Sequence, residues 1–176
     1  LIFPFYALCL SLSTSGLETA ISRSVSRFHS LGRTQDGKLI FKTGLILSVL
    51  ISLICTFLVQ ENSVFLSNRF LGDPRCAALL YLIVLALPAA SVHSCICGYH
   101  YGLQSTSVPA ISQLLEQFVR ISSVFVLYFI FLHSGVHPEI SLAVSGIIFG
   151  EFAAAGYSLF SLKKSCFDAD SPYNLS

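Results

Sequence analysis

Five long apolar runs divide this sequence and leave little of it for anything but membrane-spanning helices. They lie at about 1–21, 40–59, 77–99, 118–134 and 140–162. A helix needs roughly 20 mostly apolar residues to cross the hydrocarbon core of a bilayer. The runs are continuous and do not alternate apolar with polar residues, which argues against strands. The sequence therefore predicts an all-α integral membrane protein, a polytopic bundle of about five spans.

The low charge content supports this interpretation. Of 176 residues, 54% are apolar and only 11% are charged, whereas a soluble domain carries about 25% charged residues. The net charge of +1 argues against a nucleic-acid partner, which requires an excess of Lys and Arg. We divide the chain into a membrane domain, 1–164, and a polar cytoplasmic tail, 165–176. Since it contains no Met, we interpret it as an internal fragment of a longer protein.

Basic residues set the expected orientation. The loop after the first run, the loop before the fourth run and the tail hold eight of the ten Lys and Arg residues, and the second loop holds two. Basic residues accumulate on the cytoplasmic side of a membrane. We therefore expect residue 1 outside and the tail inside. An odd number of spans that starts outside predicts a missing first helix, which would complete a six-helix unit like those repeated in many transporters.

A polar stripe interrupts the apolar pattern before the fourth run. Gln113, Glu116, Gln117 and Arg120 have helical spacing and share one face, and Pro109 suits the first turn of such a helix. One interpretation is a solvated amphipathic helix that leads into the membrane. The other is a stripe that faces a central, water-filled cavity at its cytoplasmic end. Neither interpretation places an Arg in the middle of a span.

Glu151 falls near the middle of the fifth run. A carboxylate at that depth costs roughly 2.5–3.5 kcal/mol, so it usually faces a cavity or a partner. We interpret Glu151 as a functional, ion-coupling candidate. The alternative is a protonated or hydrogen-bonded glutamate between packed helices, where Gly146 and Gly150 allow close approach. His93 is a further intramembrane candidate, although a neutral imidazole can simply bond a neighbouring helix.

Charges also stand at the inner end of the first run. Glu18 and Arg23 lie there, with Arg27 one turn further on. We interpret them as headgroup-level charges that set topology. The alternative is that Arg23 points inward and binds an anionic group, because the planar fork of a guanidinium matches phosphate oxygens.

Neither a metal site nor an enzyme is expected. Cys95 and Cys97 lie in an apolar run, where Cys behaves as a small buried hydrophobe, and their spacing is not that of a structural zinc site, despite the flanking His93 and His100. The sequence contains no H-E-x-x-H, Walker A or G-x-G-x-x-G motif. We expect no cofactor beyond a coupling ion, proton or sodium.

Several short motifs, in order, resemble one family of carriers. They are Ser15-Gly16 with Ala20-Ile21-Ser22-Arg23, Leu71-Gly72-Asp73 with Arg75, Leu87-Pro88, Gly98-Tyr99 with Gly102, Pro109-Ala110-Ile111-Ser112-Gln113, Glu116-Gln117 with Arg120, and Gly150-Glu151. Together they resemble the stage V sporulation protein B-like branch of the MOP superfamily. That superfamily includes polysaccharide and lipid-linked oligosaccharide flippases, lipid II flippases and MATE exporters. The resemblance would cover helices two to six.

The resemblance implies a bacterial carrier of two lobes that moves a lipid-linked sugar across the cytoplasmic membrane by alternating access. Its partners would be the bilayer, the lipid-linked substrate, and the missing first helix and second lobe. The cavity of such flippases is commonly cationic, so Arg23, Gln113, Glu116, Gln117 and Arg120 become candidates for substrate contact. One alternative is a MATE-like antiporter, in which Glu151 would carry the coupling ion. Another is a membrane scaffold with no transport role.

Overall fold

The computed structural model describes residues 2–71, 76–133 and 141–169, which are almost entirely helical. In chain order the elements are α1 (Ile2–Ser30), α2 (Thr34–Glu61), α3 (Ser63–Leu66) followed by a π-helical turn (Ser67–Leu71), α4 (Cys76–Ile83), a 3-10 turn (Val84–Ala86), α5 (Leu87–Gly102), α6 (Ser107–His133) and α7 (Ser141–Ala169). These described ranges contain no strand. The predicted all-α class is confirmed.

Four segments in the described ranges are long and apolar enough to cross a membrane. They are Thr34–Glu61, Ala77–Gly102, Ser107–His133 and Leu142–Lys163, and they overlap the second to fifth predicted runs. Large apolar side chains such as Leu58, Phe125 and Phe160 remain exposed along them. A soluble fold would bury many of these groups, whereas a bilayer solvates them. The chain is therefore part of a polytopic helical membrane protein.

The first predicted run, 1–21, forms the beginning of α1, which is not among these four segments. Hydroxyl residues in the second half of the run and the charge of Glu18 lower its hydropathy. Ser13 and Thr14 bond back to carbonyl oxygens four residues earlier, at 2.8 and 2.7 Å. Those bonds satisfy hydroxyls that would otherwise be buried without a partner. Helix α1 thus combines an apolar exterior with a polar inner face.

The fourth span begins earlier than the sequence suggested. The hydropathy of the sequence placed it at 118–134, but the apolar helix runs from Ser107 to His133. Arg120 stands midway along it. Arg120 is therefore central in α6, although the sequence placed it at the start of the fourth span. The polar stripe lowered the local hydropathy and concealed the first turns of the helix. Without Arg120, seven basic residues still lie on the side expected to be cytoplasmic.

Pro88 accounts for an irregularity in the third span. Proline lacks a backbone N–H and clashes with the carbonyl four residues earlier, which here belongs to Val84. The chain adopts the 3-10 turn Val84–Ala86 directly before Pro88. The Val84 oxygen instead accepts a hydrogen bond from Oγ1 of Thr56 on α2, at 3.2 Å. Neighbouring helices thus satisfy the backbone group that proline releases.

Helix α1 packs against α2 and α5, α5 against α7, and α7 against α6. Glycines permit the closest approach between α1 and α5. A Cβ atom on Gly98 would lie 2.8 Å from the backbone oxygen of Glu18, and one on Gly102 would lie 2.7 Å from Cβ of Val25. Small residues are typical of such contacts in membranes. The inner face of α1 is therefore held tightly against α5.

Some residues named above lie outside the described part of the chain. They are Gly72, Asp73 and Arg75 of the family motifs and residues 170–176 of the predicted tail. Helix α7 continues to Ala169, five residues into that predicted tail.

Candidate functional site: a charged cavity

Side chains from α1, α5, α6 and α7 line a cavity of about 320 Å³. Its lining residues are Tyr6, Ala7, Leu10, Thr14, Glu18, Ala90, His93, Ser94, Cys97, Gln113, Glu116, Arg120 and Glu151. The set contains three carboxylates and one guanidinium. A cavity with polar groups from several spans is the usual place for a transport site in a membrane protein.

Helix α6 supplies the polar stripe. Its first turn contains Pro109, whose carbonyl oxygen accepts a hydrogen bond from Ser112 Oγ at 2.9 Å. Gln113, Glu116 and Arg120 follow on one face, and all three line the cavity. Arg120 forms an ion pair with Glu116 within the helix. The stripe thus brings a positive charge to the middle of α6 beside a negative partner.

Gln117 belongs to the same stripe but does not line this cavity. It is exposed, and its Oε1 accepts a hydrogen bond from Arg120 Nη1 at 3.5 Å. The guanidinium is therefore held along α6 by two neighbouring side chains. Arg120 Nε is buried without a hydrogen-bond partner, so the guanidinium keeps a donor for a further group.

Glu151 enters the cavity from α7. It is 6% exposed, and its Oε1 accepts a hydrogen bond from the Tyr6 hydroxyl at 3.4 Å. The same atom lies 3.9 Å from Arg120 Nη2. Gly150 permits this geometry, because a Cβ there would lie 3.1 Å from the backbone oxygen of Glu116. The predicted intramembrane carboxylate thus has two partners, from α1 and α6.

His93 lies on the α5 side of the cavity and is buried. Its Nε2 is 3.0 Å from Ser112 Oγ on α6. Cys97, one turn further along α5, lies 3.8 Å from the same oxygen through its Sγ. The structure also brings a ligand atom of His93 within 4.8 Å of the Glu116 and Glu151 carboxylates. Three candidates from separate helices therefore converge.

Glu18 was expected at the level of the lipid headgroups, but the structure places it in the lining of the cavity. Its carboxylate lines the cavity and accepts a hydrogen bond from Ser94 Oγ at 2.6 Å. Arg23, in contrast, is exposed on α1 and does not line this cavity. Its role in contacting an anionic group stays a prediction. The close contact at Gly98 brings Glu18 to this depth of the bundle.

Tyr6 and Ser112 are the cavity partners that sequence reasoning missed. Tyr6 is 145 positions from Glu151, and a hydroxyl in an apolar run gives no signal of such a long-range contact. Ser112 was noticed only as part of a motif. The two cysteines have different surroundings: Cys95 packs in an apolar cluster with Ile21 and Val25, whereas Cys97 borders the cavity.

The described residues form a helical membrane bundle with a charged cavity between four of its helices. The chain belongs to the polysaccharide biosynthesis protein family, whose model matches residues 1–171.

Two curated relatives come from Bacillus subtilis (strain 168). Stage V sporulation protein B is 33% identical over 154 residues, which is 88% of this chain and 30% of that protein. Lipid II flippase MurJ is 25% identical over 163 residues, which is 88% of this chain and 28% of that protein. The chain thus spans less than a third of the length of these relatives. No solved structure matches it.

Proposed function

We propose that this chain is part of one lobe of a flippase that moves a lipid-linked oligosaccharide or peptidoglycan precursor across the bacterial cytoplasmic membrane by alternating access. Membership of the polysaccharide biosynthesis protein family and similarity to a lipid II flippase support the class. The observation that carries the proposal is the guanidinium of Arg120, which borders a cavity midway along α6.

Arg120 has the chemistry that a lipid-linked sugar requires. Such a substrate carries phosphate between its sugar and its lipid, and the guanidinium fork binds phosphate oxygens through paired charged hydrogen bonds. A charged side chain at the middle of a span costs roughly 2.5–3.5 kcal/mol. Glu116 and Glu151 offset that cost here. A phosphate that replaced these carboxylates would contact Arg120 without leaving its charge unpaired.

Alternating access follows if Arg120 pairs with Glu116 and Glu151 in one conformation and with a substrate phosphate in the other. A ligand shifts an equilibrium only through its differential affinity for the two states. In the described arrangement, Arg120 links α6 to α7 through Glu151, across 3.9 Å. A substrate phosphate that paired with the guanidinium would weaken this link and allow α6 and α7 to separate.

Reconstitution of the intact protein into liposomes with a labelled lipid-linked precursor tests the proposal. Arg120→Gln should abolish most translocation, and Arg120→Lys should retain a part, because it keeps the charge but loses the fork. Arg27→Gln is the matched control, since Arg27 is exposed on α1 and does not line the cavity. Unchanged flipping by Arg120→Gln would refute the assigned contact, and no flipping by the parent protein would favour a scaffold.

A second candidate function rests on the excess of carboxylates. Glu18, Glu116 and Glu151 outnumber Arg120 in the described cavity lining, which favours a cation over an anion. A MATE-like antiporter would use Glu151 to carry a coupling proton or sodium ion. It predicts drug resistance that Glu151→Gln abolishes and Glu61→Gln, an exposed control at the end of α2, leaves intact. A resistance profile unaltered by Glu151→Gln would count against this function.

A further inference from the structure

His93, Glu116 and Glu151 form a compact set of potential metal ligands. They belong to α5, α6 and α7, and one ligand atom of each lies within 4.8 Å of the others. We propose that these three residues bind a divalent transition-metal cation of the Zn²⁺ type. Because the ligands come from three helices, a bound cation would hold those helices together at the cavity.

The donor set selects the class of cation. Imidazole nitrogen combined with carboxylate oxygen suits Zn²⁺ and similar transition metals, whereas Mg²⁺ and Ca²⁺ prefer sites built from oxygen alone. Zinc holds such ligands at about 2.0–2.2 Å. The spacing of the three ligand atoms therefore needs a contraction of only about 1 Å per side chain to reach that geometry. Water or a ligand in the adjoining cavity can supply the fourth position, as in open zinc sites.

Ser112 orients the imidazole in the manner expected of a metal ligand. Its hydroxyl hydrogen is donated to the Pro109 carbonyl, at 2.9 Å. In the Nε2–H tautomer, His93 donates to the same oxygen, 3.0 Å away. Nδ1 of that tautomer carries the lone pair that would bind a metal. Histidine ligands commonly donate their other N–H to a neighbouring acceptor, which fixes ring orientation and tautomer.

Arg120 is the competitor for this site. Its guanidinium already pairs with Glu116 and lies 3.9 Å from Glu151, so it is a cation held by two of the three proposed ligands. A bound metal cation and the guanidinium would repel each other, because both would lie against the same two carboxylates. Metal binding therefore requires Arg120 to turn away. In a flippase, and this step rests on the proposed function, a substrate phosphate that draws Arg120 away would strengthen metal binding.

Calorimetric titration of the detergent-purified, intact protein with ZnCl₂ tests the site without any transport. His93→Ala and Glu151→Gln should each weaken Zn²⁺ binding at least about tenfold. Two controls lie outside the set. His100 is a second buried histidine on α5, and Glu61 is an exposed glutamate at the end of α2 that does not line the cavity. His100→Ala and Glu61→Gln should bind Zn²⁺ like the parent protein.

Arg120→Gln separates this site from an adventitious one, because removal of the competing charge should raise the Zn²⁺ affinity several-fold. Equal affinities of the parent and His93→Ala proteins would overturn the proposal. So would a loss confined to Cys97→Ser, which would assign the metal to the nearby thiol. If the protein binds Zn²⁺ at this site but does not transport the precursor, the flippase is rejected and the metal site stands. If it transports the precursor but does not bind Zn²⁺, only the metal site is rejected.

Discussion

Arg120 lies between two carboxylates that belong to different helices. Its partner within α6 is Glu116, and its partner across the helix interface is Glu151, itself bonded to Tyr6. The side chain of Arg120 is 25% exposed, whereas that of Glu151 is 7% exposed. A charged side chain at this depth costs roughly 2.5–3.5 kcal/mol, and an opposite charge nearby offsets that cost. The three charges are therefore interdependent.

Removal of Arg120 should destabilise the bundle through the carboxylates that it leaves behind. We expect Arg120→Gln to lower the free energy of unfolding by about 1–3 kcal/mol, since an unpaired buried charge costs at least that much. Adding Glu151→Gln should restore part of the loss, because the double variant retains one carboxylate rather than two. Thermal unfolding of the intact protein in detergent measures both effects.

The control for this pair is Glu18→Gln combined with Arg120→Gln. Glu18 lines the same cavity but bonds to Ser94 on α5 and has no ion pair with Arg120 among the described residues. It should not restore stability. Equal recovery with Glu18→Gln and Glu151→Gln would mean that total cavity charge, rather than the specific contact, sets the stability.

Glu151 and the α6 stripe could be found from the sequence, for different reasons. Burying a carboxylate is costly enough that Glu151 had to have a partner, and helical periodicity alone placed Glu116 and Arg120 on one face. The identity of the partners could not be found, because Tyr6 and Glu18 reach the cavity through tertiary contacts. Hydropathy and helical spacing do not indicate which distant helix a hydroxyl will meet.

At the scale of the elements, glycines set the distance between helices. On α5, a Cβ at Gly102 would meet Cβ of Val25 at 2.7 Å and the backbone oxygen of Ser22 at 2.8 Å. Both atoms belong to rigid parts of α1, so neither can move without moving the helix. On α7, a Cβ at Gly156 would meet nothing within 4 Å. The two positions therefore differ in packing although both are helical glycines.

Gly102→Ala should separate α1 from α5 and destabilise the bundle by about 1–3 kcal/mol, the usual cost of overpacking. Gly156→Ala should be neutral or stabilising by up to about 1 kcal/mol, because alanine favours the helix. The midpoint of thermal unfolding of each variant, compared with the parent protein, measures the difference. Similar midpoints for the two variants would show that α1 and α5 are not in close contact at this point.

The start of α6 shows where hydropathy fails as a guide to helix ends. Gln113, Glu116, Gln117 and Arg120 lower the mean hydropathy over the same turns that face the cavity, so the predicted span began only at 118. The polar face of a transport helix thus hides part of that helix from a hydropathy window. The existence of the helix was predictable, since Pro109 suited a first turn and the stripe kept helical spacing.

At the scale of the whole molecule, two short connections join successive helices on one side of the bundle. Gly32, with φ of 71°, ends α1, and Arg33 N donates to Phe28 O at 3.0 Å across the turn. After α5, Ser105 N donates to His100 O at 3.0 Å around Gln104. Successive spans cross the bundle in opposite directions, so the connection after α1 and the connection after α5 lie on the same side. From the excess of basic residues around the first connection, we predict that this side is cytoplasmic.

Cysteine labelling tests this orientation directly. In a background whose six cysteines are replaced by alanine, Glu61→Cys and Thr106→Cys place a thiol at opposite ends of the spans, and both positions are exposed. A membrane-impermeant maleimide should label position 61 in intact cells and position 106 only after permeabilisation. Leu31→Cys, in the other connection, should behave like Thr106→Cys. The opposite labelling pattern would reverse the orientation, and because charge alone assigns the sides, it would also show that the positive-inside bias fails for this chain.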